Sequence, residues 1–165
     1  MKAQAGAVEE TMRECLPMLA RIAASYVAEP ARRDDLLQEM SIAAWQALPR
    51  WRGEGSVRAF VARVAHNRAL TVLVRERRNA AATLDDAAPD PGPGPQHSAE
   101  AGQCRDALLR AVRRLPLGYR QPVVLALEGF SQREIAAALG LEENTVAQRL
   151  SRARRRLRET MEAGA

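Results

Sequence analysis

The chain has 165 residues, enough for one ordinary domain or for two small ones with modest cores. Alanine, leucine and arginine dominate, aromatic residues make up only 4%, and no sustained alternation of β-branched and polar residues predicts a sheet. The formal net charge is +5, and every basic residue except Lys2 is arginine, which favours nucleic acid as a partner. A GC-rich genome would produce the same bias, so the position of the arginines carries more weight than their number.

The sequence gives little support for metal binding or catalysis. Cys15 and Cys104 form no CxxC pair, and His66 and His97 are the only histidines, so we expect no metal site, cofactor or enzyme activity. We expect both cysteines to be small buried or half-buried residues. No apolar run is long enough to cross a bilayer, and the first ten residues have no hydrophobic signal core, so we expect a cytoplasmic protein without membrane insertion.

The order of helix signals and breakers predicts an all-α fold of two small helical domains. Proline and glycine alternate between residues 80 and 103, where every charged residue is acidic, so we predict a flexible linker there between domains over 1–79 and 104–165. Periodicity and breakers predict seven helices, over 7–28, 31–48, 56–78, 104–114, 119–128, 131–139 and 143–161.

The second predicted helix is amphipathic. Its apolar residues recur at helical spacing and are available for packing, namely Leu36, Leu37, Met40, Ala44 and Leu48. The acids Asp34, Asp35 and Glu39 lie outside this stripe with Gln38. Acids near a helix start favour its dipole, and taken alone this simple explanation is the better one.

The third predicted helix and the loop before it are strongly basic. Residues 50–78 hold eight arginines against two glutamates, which is the pattern of a phosphate-binding surface. Trp51, Phe60 and Asn67 add groups for stacking and for hydrogen bonds to base edges, as in single-strand binding. The alternative is that Trp51 and Phe60 are core aromatics.

A helix-turn-helix is predicted near the C-terminus. Ser131 is a good N-cap with Glu134 at the capping-box position, and Gly140 suits the end of this helix. The next helix buries Val146, Leu150, Ala153 and Leu157, so its outer face carries Gln148, Ser151, Arg152 and Arg155. Residues 149–158 contain six arginines and no acid, which favours groove docking, whereas a solvated surface helix is the plainer alternative.

This C-terminal segment resembles the fourth conserved domain of extracytoplasmic-function (ECF) sigma factors of the sigma-70 superfamily. The matching stretches are SQREIAAALG from Ser131, NTV from Asn144 and RLSRAR from Arg149. The resemblance implies that the second helix binds the upstream, minus thirty-five, promoter element, through Thr145, Ala147, Gln148, Arg149, Ser151, Arg152 and Arg155. Ala147 stands where the family often has a basic residue.

The N-terminal segment resembles the family's second conserved domain. The pattern Asp35-Leu-Leu-Gln38-Glu39, followed by Ala44-Trp45, implies that Asp35, Gln38 and Glu39 bind the β′ clamp of RNA polymerase. Residues 50–78 resemble the part that binds and melts the downstream, minus ten, element, with contacts implied for Arg52, Ser56, Phe60, Arg63, Asn67, Arg68 and Arg75. Ser41 replaces a bulky apolar residue of the family pattern, and Phe60 replaces a tryptophan.

The resemblance implies a factor that binds core RNA polymerase through its β′ clamp and β flap and directs promoter recognition, melting and initiation. It also implies an anti-sigma factor as a partner. A stand-alone helix-turn-helix repressor or activator is the alternative, and it predicts a palindromic operator and tight duplex binding without polymerase. A protein that sequesters other regulators would leave both arginine surfaces unexplained.

Overall fold

The computed structural model describes residues 2–82 and 100–163 of the chain, and within these ranges the secondary structure is entirely helical. The prediction of an all-α fold is therefore confirmed. A 3-10 turn, Leu48–Arg50, follows the second of seven helices, which are α1 Lys2–Tyr26, α2 Pro30–Ala47, α3 Val57–Ala82, α4 Glu100–Arg114, α5 Leu117–Leu127, α6 Gln132–Leu139 and α7 Glu143–Ala163.

The described residues fall into two compact units, one of residues 2–23 and 29–82 and the other of residues 24–28 and 100–163. In the first unit α2 packs closely along α3. Its most deeply buried apolar side chains, each at most 2% exposed, are Met18, Leu19, Ile22, Ala23, Leu36, Met40, Ala44, Val61, Ala62, Ala65 and Ala69. Burial of each larger one contributes about 1.5–3 kcal/mol.

The start of α2 is fixed by Glu29 and Pro30. The carboxylate of Glu29 accepts hydrogen bonds from the backbone N–H groups of Arg32, at 2.7 Å, and Ala31, at 2.9 Å. These bonds lower the pKa of the Glu29 carboxyl. Pro30 occupies the first turn, where its missing N–H costs nothing.

The apolar stripe of α2 is buried as predicted at four of its five positions. Leu36, Met40, Ala44 and Leu48 are buried, and Leu37 is only half-buried. Leu37 lies 100° around the helix from Leu36, so it sits at the edge of the surface that α2 packs against α3. Leu37, predicted to be available for packing, therefore packs only in part.

The second unit is built around the helix-turn-helix of α6 and α7. Ser131 and Glu134 form the predicted capping box, and Gly140 ends α6 in the left-handed conformation with φ 64°. The backbone N–H of Leu141 donates to the carbonyl of Ala136 at 3.0 Å, which closes the turn. The buried side chains of this unit include Val112, Val124, Leu125, Ile135, Val146, Leu150 and Ala153. Leu157, predicted to be buried on the same stripe of α7, is only half-buried near the end of the helix.

The predicted linker is partly helical at both ends. The α3 helix continues to Ala82, because Ala80, Ala81 and Ala82 belong to the strongest helix-forming residue type. The α4 helix already begins at Glu100, inside the predicted linker. The remainder of the predicted linker, residues 83–99, lies outside the described residues.

Candidate nucleic-acid and polymerase interfaces

One face of α3 carries most of the residues predicted to bind the downstream element. Phe60, Arg63 and Asn67 follow Ser56 at spacings of four, three and four, which places them on one stripe of the helix. This stripe lies opposite the buried positions Val61, Ala62, Ala65, Ala69 and Val72. Arg63 and Asn67 are exposed, and Phe60 is half-buried. The stripe is thus accessible to a strand of nucleic acid.

The loop before α3 is held in place by local hydrogen bonds. The indole N–H of the half-buried Trp51 donates to the carbonyl of Glu54 at 3.3 Å, and Gly53 and Gly55 adopt φ values of 80° and 71°. The hydroxyl of Ser56 accepts a bond from the N–H of Ala59 at 3.0 Å and caps α3. Ser56, predicted to contact DNA, therefore also has a structural role.

The aromatic ring of Phe60 is covered on one side by Arg63. The Arg63 guanidinium carbon lies 5.4 Å from the ring centroid, a distance at which a cation is attracted to the face of the ring. Phe60 is half-buried, so it is neither a core residue nor a ring that is fully exposed for a base to stack on. Stacking of a base on that ring face requires displacement of the Arg63 side chain, which could then contact a phosphate.

Arg68 and Glu39 form an ion pair that joins α3 to α2. The Nε atom of Arg68 donates to Oε2 of Glu39 at 2.8 Å, and Nη2 contacts the same oxygen. Sequence reasoning assigned Glu39 to polymerase and Arg68 to DNA, but the structure brings the two side chains together. Arg68 lies about 100° around α3 from Asn67, beside the exposed stripe. The exposed Arg52 and Arg75 form no such bridge to α2 among the described contacts.

The outer face of α2 is both polar and apolar. Asp35 and Gln38 are exposed, as predicted for polymerase contacts. Ile42 and Trp45 continue the same face and are 49% and 47% exposed. Sequence reasoning assigned no contact to either residue, although Trp45 was part of the pattern that resembles the family. The sequence contained a signal for their exposure. The buried residues of α2 recur every four positions from Leu36, and Ile42 and Trp45 do not belong to this series.

The outer face of α7 presents the predicted upstream-element residues. Gln148, Ser151, Arg152 and Arg155 are exposed, opposite the buried Val146, Leu150 and Ala153, whereas Thr145 and Ala147 are half-buried beside them. Helices of this kind enter the major groove with their N-terminal half. The outer face of α7 therefore presents polar and basic groups to solvent.

Arg149 is directed inward rather than to the outer face. Its Nη1 atom donates to the carbonyl of Gly118 at 3.4 Å, and a Cβ atom at position 118 would lie 3.7 Å from it. Arg149 therefore ties α7 to the start of α5, and its predicted role in DNA contact competes with this structural one. Arg133, exposed at the start of α6, was missed by sequence reasoning although the first helix of such a motif crosses the DNA backbone.

The groups with catalytic chemistry are scattered. His66 is fully buried, and burial lowers the pKa of its imidazole to about 4. Burial raises the pKa of the Cys15 thiol. Cys104 is exposed, so the expectation that it is buried or half-buried is wrong; it lies two turns before Ala111, where the buried part of α4 begins. Residues 2–82 and 100–163 contain no group of three side chains that could hold a metal ion.

Comparison with known families finds matches in both halves of the chain. A family model described as Sigma-70 region 2 matches residues 11–79, and one described as Sigma-70, region 4 matches residues 105–157. RNA polymerase sigma factor CnrH of Cupriavidus metallidurans is 32% identical over 157 residues, covering 88% of this chain and 81% of CnrH. The chain belongs to the ECF sigma factors of the sigma-70 superfamily. The predicted family and the predicted sigma-factor function are confirmed over the repressor alternative.

Other relatives agree with this assignment. The ECF RNA polymerase sigma factor SigM of Mycobacterium tuberculosis is 33% identical over 143 residues, covering 86% of this chain and 69% of SigM. A solved structure of CnrH with the cytosolic domain of CnrY has a TM-score of 0.69 at 25% identity, covering 99% of this ECF sigma factor and 96% of CnrH.

A second solved structure shares the fold. It is that of the sigma factor RpoE with the anti-sigma factor NepR from Bartonella quintana, with a TM-score of 0.77 at 22% identity, covering 93% of this chain and 96% of RpoE. None of the described helices of the ECF sigma factor is long and apolar enough to cross a membrane.

Proposed function

We propose that the outer face of α2 binds the β′ clamp of core RNA polymerase. Asp35 and Gln38 supply polar contacts, and Ile42 and Trp45 extend the face with exposed apolar surface. Glu39 orients the surface through its ion pair with Arg68. The second unit binds the β flap, which we carry over from the family resemblance. The factor acts beside the polymerase inside the cell and performs no chemistry of its own.

The α3 face is proposed to capture the melted downstream element. Asn67 provides a hydrogen-bonding group for a base edge, Phe60 a ring for stacking, and Arg63 a cation that can move from the ring to a phosphate. Arg52 and Arg75 contact the backbone on either side. This assignment is supported by the exposure of Arg63 and Asn67 along one stripe opposite the core.

The α7 face is proposed to bind the upstream element in the major groove of duplex DNA. Gln148, Ser151 and Arg152 contact base edges, Thr145 and Ala147 lie beside them, and Arg155 contacts the backbone. The single observation that supports the whole function best is the presence of two outward basic faces, on α3 and α7, in two separately packed units.

An anti-sigma factor is the proposed antagonist. Of the two solved neighbours, RpoE was captured with the anti-sigma factor NepR, and CnrH was captured with the cytosolic domain of CnrY. Because Ile42 and Trp45 are exposed, such a protein could cover the polymerase-binding face of α2 and hold the factor inactive.

Run-off transcription tests the proposed function. Purified core RNA polymerase is given a pool of genomic fragments with and without the factor. Discrete new start sites that depend on the factor are the expected result, and their alignment supplies both promoter elements. Specific retention of duplex fragments by the factor alone, without new transcripts, would instead favour a repressor.

A further inference from the structure

A basic groove lies between the end of α4 and the C-terminal half of α7. It has a volume of about 390 Å³ and is lined by Ala111, Arg114, Leu115, Pro116, Arg155, Arg156, Glu159 and Thr160. The floor is apolar, because Ala111 and Leu115 are buried, whereas the three arginines are exposed. Polar and charged groups therefore surround a space that α7 of the helix-turn-helix forms together with α4, which lies outside that motif.

The charges of this groove are unbalanced. Three guanidinium groups share it with one carboxylate, that of Glu159, whose Oε1 atom lies 3.9 Å from Nε of Arg155. Such a long, exposed ion pair contributes little to stability. Another anion can therefore readily replace Glu159 as the partner of Arg155. Arg156 is held in position by Tyr119, since its guanidinium carbon lies 5.0 Å from the ring centroid. The groove thus keeps an excess of positive charge.

The position of the groove indicates which anion it takes. Arg155 belongs both to the groove and to the exposed face of α7, so the two surfaces are continuous. Arg156 lies about 100° further around α7, on the flank of that face. Phosphates border the bases on both sides of a major groove, so a helix whose outer face meets bases has phosphates at its flanks.

We propose that Arg114, Arg155 and Arg156 form a phosphodiester site that grips the promoter backbone next to the upstream element. The proposal rests on the proposed function of α7 and adds a contact from α4, outside the helix-turn-helix. Guanidinium groups suit this task, because their planar array of donors matches phosphate oxygens. The contact is independent of base sequence and fixes the position of α7 in the major groove of the DNA.

Arg114→Ala in the full-length factor tests the site, because Arg114 is exposed and lies outside the helix-turn-helix. Holoenzyme is assembled from core polymerase, and its affinity is measured for a duplex fragment that carries the upstream element and ends before the downstream one. Loss of one phosphate contact reduces the slope of log affinity against log salt by about 0.9. Raising the salt from about 50 to about 200 mM weakens DNA binding in both proteins. The factor by which binding weakens is about 3.5-fold smaller for Arg114→Ala than for the wild type.

Arg110→Ala is the matched control, since Arg110 is an exposed arginine of α4 that does not line the groove. We expect its salt slope to equal that of the wild type, and we expect Arg114→Ala to weaken binding by the same factor on fragments with an altered upstream sequence. An unchanged slope for Arg114→Ala, or an equal change for Arg110→Ala, would overturn the phosphate site.

Two further outcomes separate the possible failures. If Arg114→Ala weakens binding to core polymerase but leaves the salt slope for DNA unchanged, the groove holds an acidic protein segment and the phosphate site is wrong. If the wild-type holoenzyme itself shows no preference for promoter fragments, the proposed function has failed, independently of any result at Arg114.

Discussion

The two basic helices, α3 and α7, use their arginines differently. On α3, Arg68 is bound to Glu39 of α2 and Arg63 lies over the ring of Phe60. On α7, Arg152 belongs to the exposed outer face and Arg149 is directed to a backbone carbonyl of α5. The density of arginines in the sequence is similar in both segments, but the arginines make different contacts in the folded protein.

The difference comes from what each helix packs against. The α3 helix packs along α2, which carries acids on its flank, so part of the positive charge is neutralised within the unit. The α7 helix packs through Val146, Leu150 and Ala153, and its arginines other than Arg149 remain exposed. The arginines of a basic helix are therefore more available to nucleic acid when the helix that it packs against has no acids to pair with them. Four predictions test this comparison.

Acid should destabilise the first unit selectively. Burial lowers the pKa of His66 from the ordinary 6.5 to about 4, so the unfolded chain binds a proton at a higher pH than the folded one. Stability is fully present above pH 6.5 and falls as the pH falls toward 4, by about 3 kcal/mol in total. Urea unfolding at several pH values, followed by tryptophan fluorescence, measures this loss, because Trp45 and Trp51 both lie in the first unit.

His66→Gln removes the titrating group and is the control. Its stability should depend less on pH than that of the wild type between pH 6.5 and 4. Residues 100–163 contain no histidine, so a probe of the second unit should show the weaker dependence as well. An NMR titration of the wild-type imidazole with a pKa near its ordinary value would contradict the prediction.

Arg152→Ala should weaken binding of the upstream element by about 1–3 kcal/mol, with relaxed preference at one base pair, if Arg152 contacts a base edge. Arg154→Ala is the matched control, because Arg154 is exposed on the flank of the same helix. Holoenzyme binding to a set of single-base promoter variants measures both effects. A uniform loss on all variants would mean that Arg152 contacts a phosphate.

Ser131→Ala should lower the stability of the second unit by about 1 kcal/mol, because it removes an N-cap whose hydroxyl accepts from the N–H of Glu134 at 3.2 Å. Thermal unfolding followed by far-UV circular dichroism measures the change. Ser151→Ala is the control, since Ser151 is exposed within α7 and caps no helix. Equal losses in both variants would contradict the assignment of the cap.

The ion pair between Arg68 and Glu39 should have the smallest effect. Both side chains are more than a third exposed, so a double-mutant cycle with Arg68→Ala and Glu39→Gln should give a coupling free energy of at most about 1 kcal/mol. Arg32 and Glu76 form a second exposed pair between α2 and α3, which provides a comparison cycle. A coupling free energy well above 1 kcal/mol at Arg68 and Glu39 would contradict the prediction.

Much of the fold follows from local sequence signals. The capping box at Ser131, the end of α6 at Gly140 and the apolar stripes of α2 and α7 depend on residues within one or two turns of each other, so periodicity predicts them. Helix ends within alanine-rich sequence were predicted less well. The outer face of α7 was predicted correctly in its exposure, because the buried stripe determines it.

Contacts between helices could not be predicted in this way. The pairing of Arg68 with Glu39 spans 29 positions in the chain, and that of Arg149 with Gly118 spans 31, so each depends on how two helices pack. The exposure of Ile42 and Trp45 likewise depends on which faces of α2 its neighbours cover. Propensity and spacing contain no information on such partners.

The side chains that hold α7 and those that face outward are different sets. Val146, Leu150 and Ala153 anchor the helix, and the glycine turn at Gly140 sets its direction through backbone geometry alone. If α7 binds the upstream element as proposed, substitutions at the exposed Gln148 and Ser151 would alter promoter choice without loss of the fold. A gene duplicate could acquire a new regulon by drift at a few surface codons, and an engineer could build mutually insulated gene circuits from this scaffold by the same route.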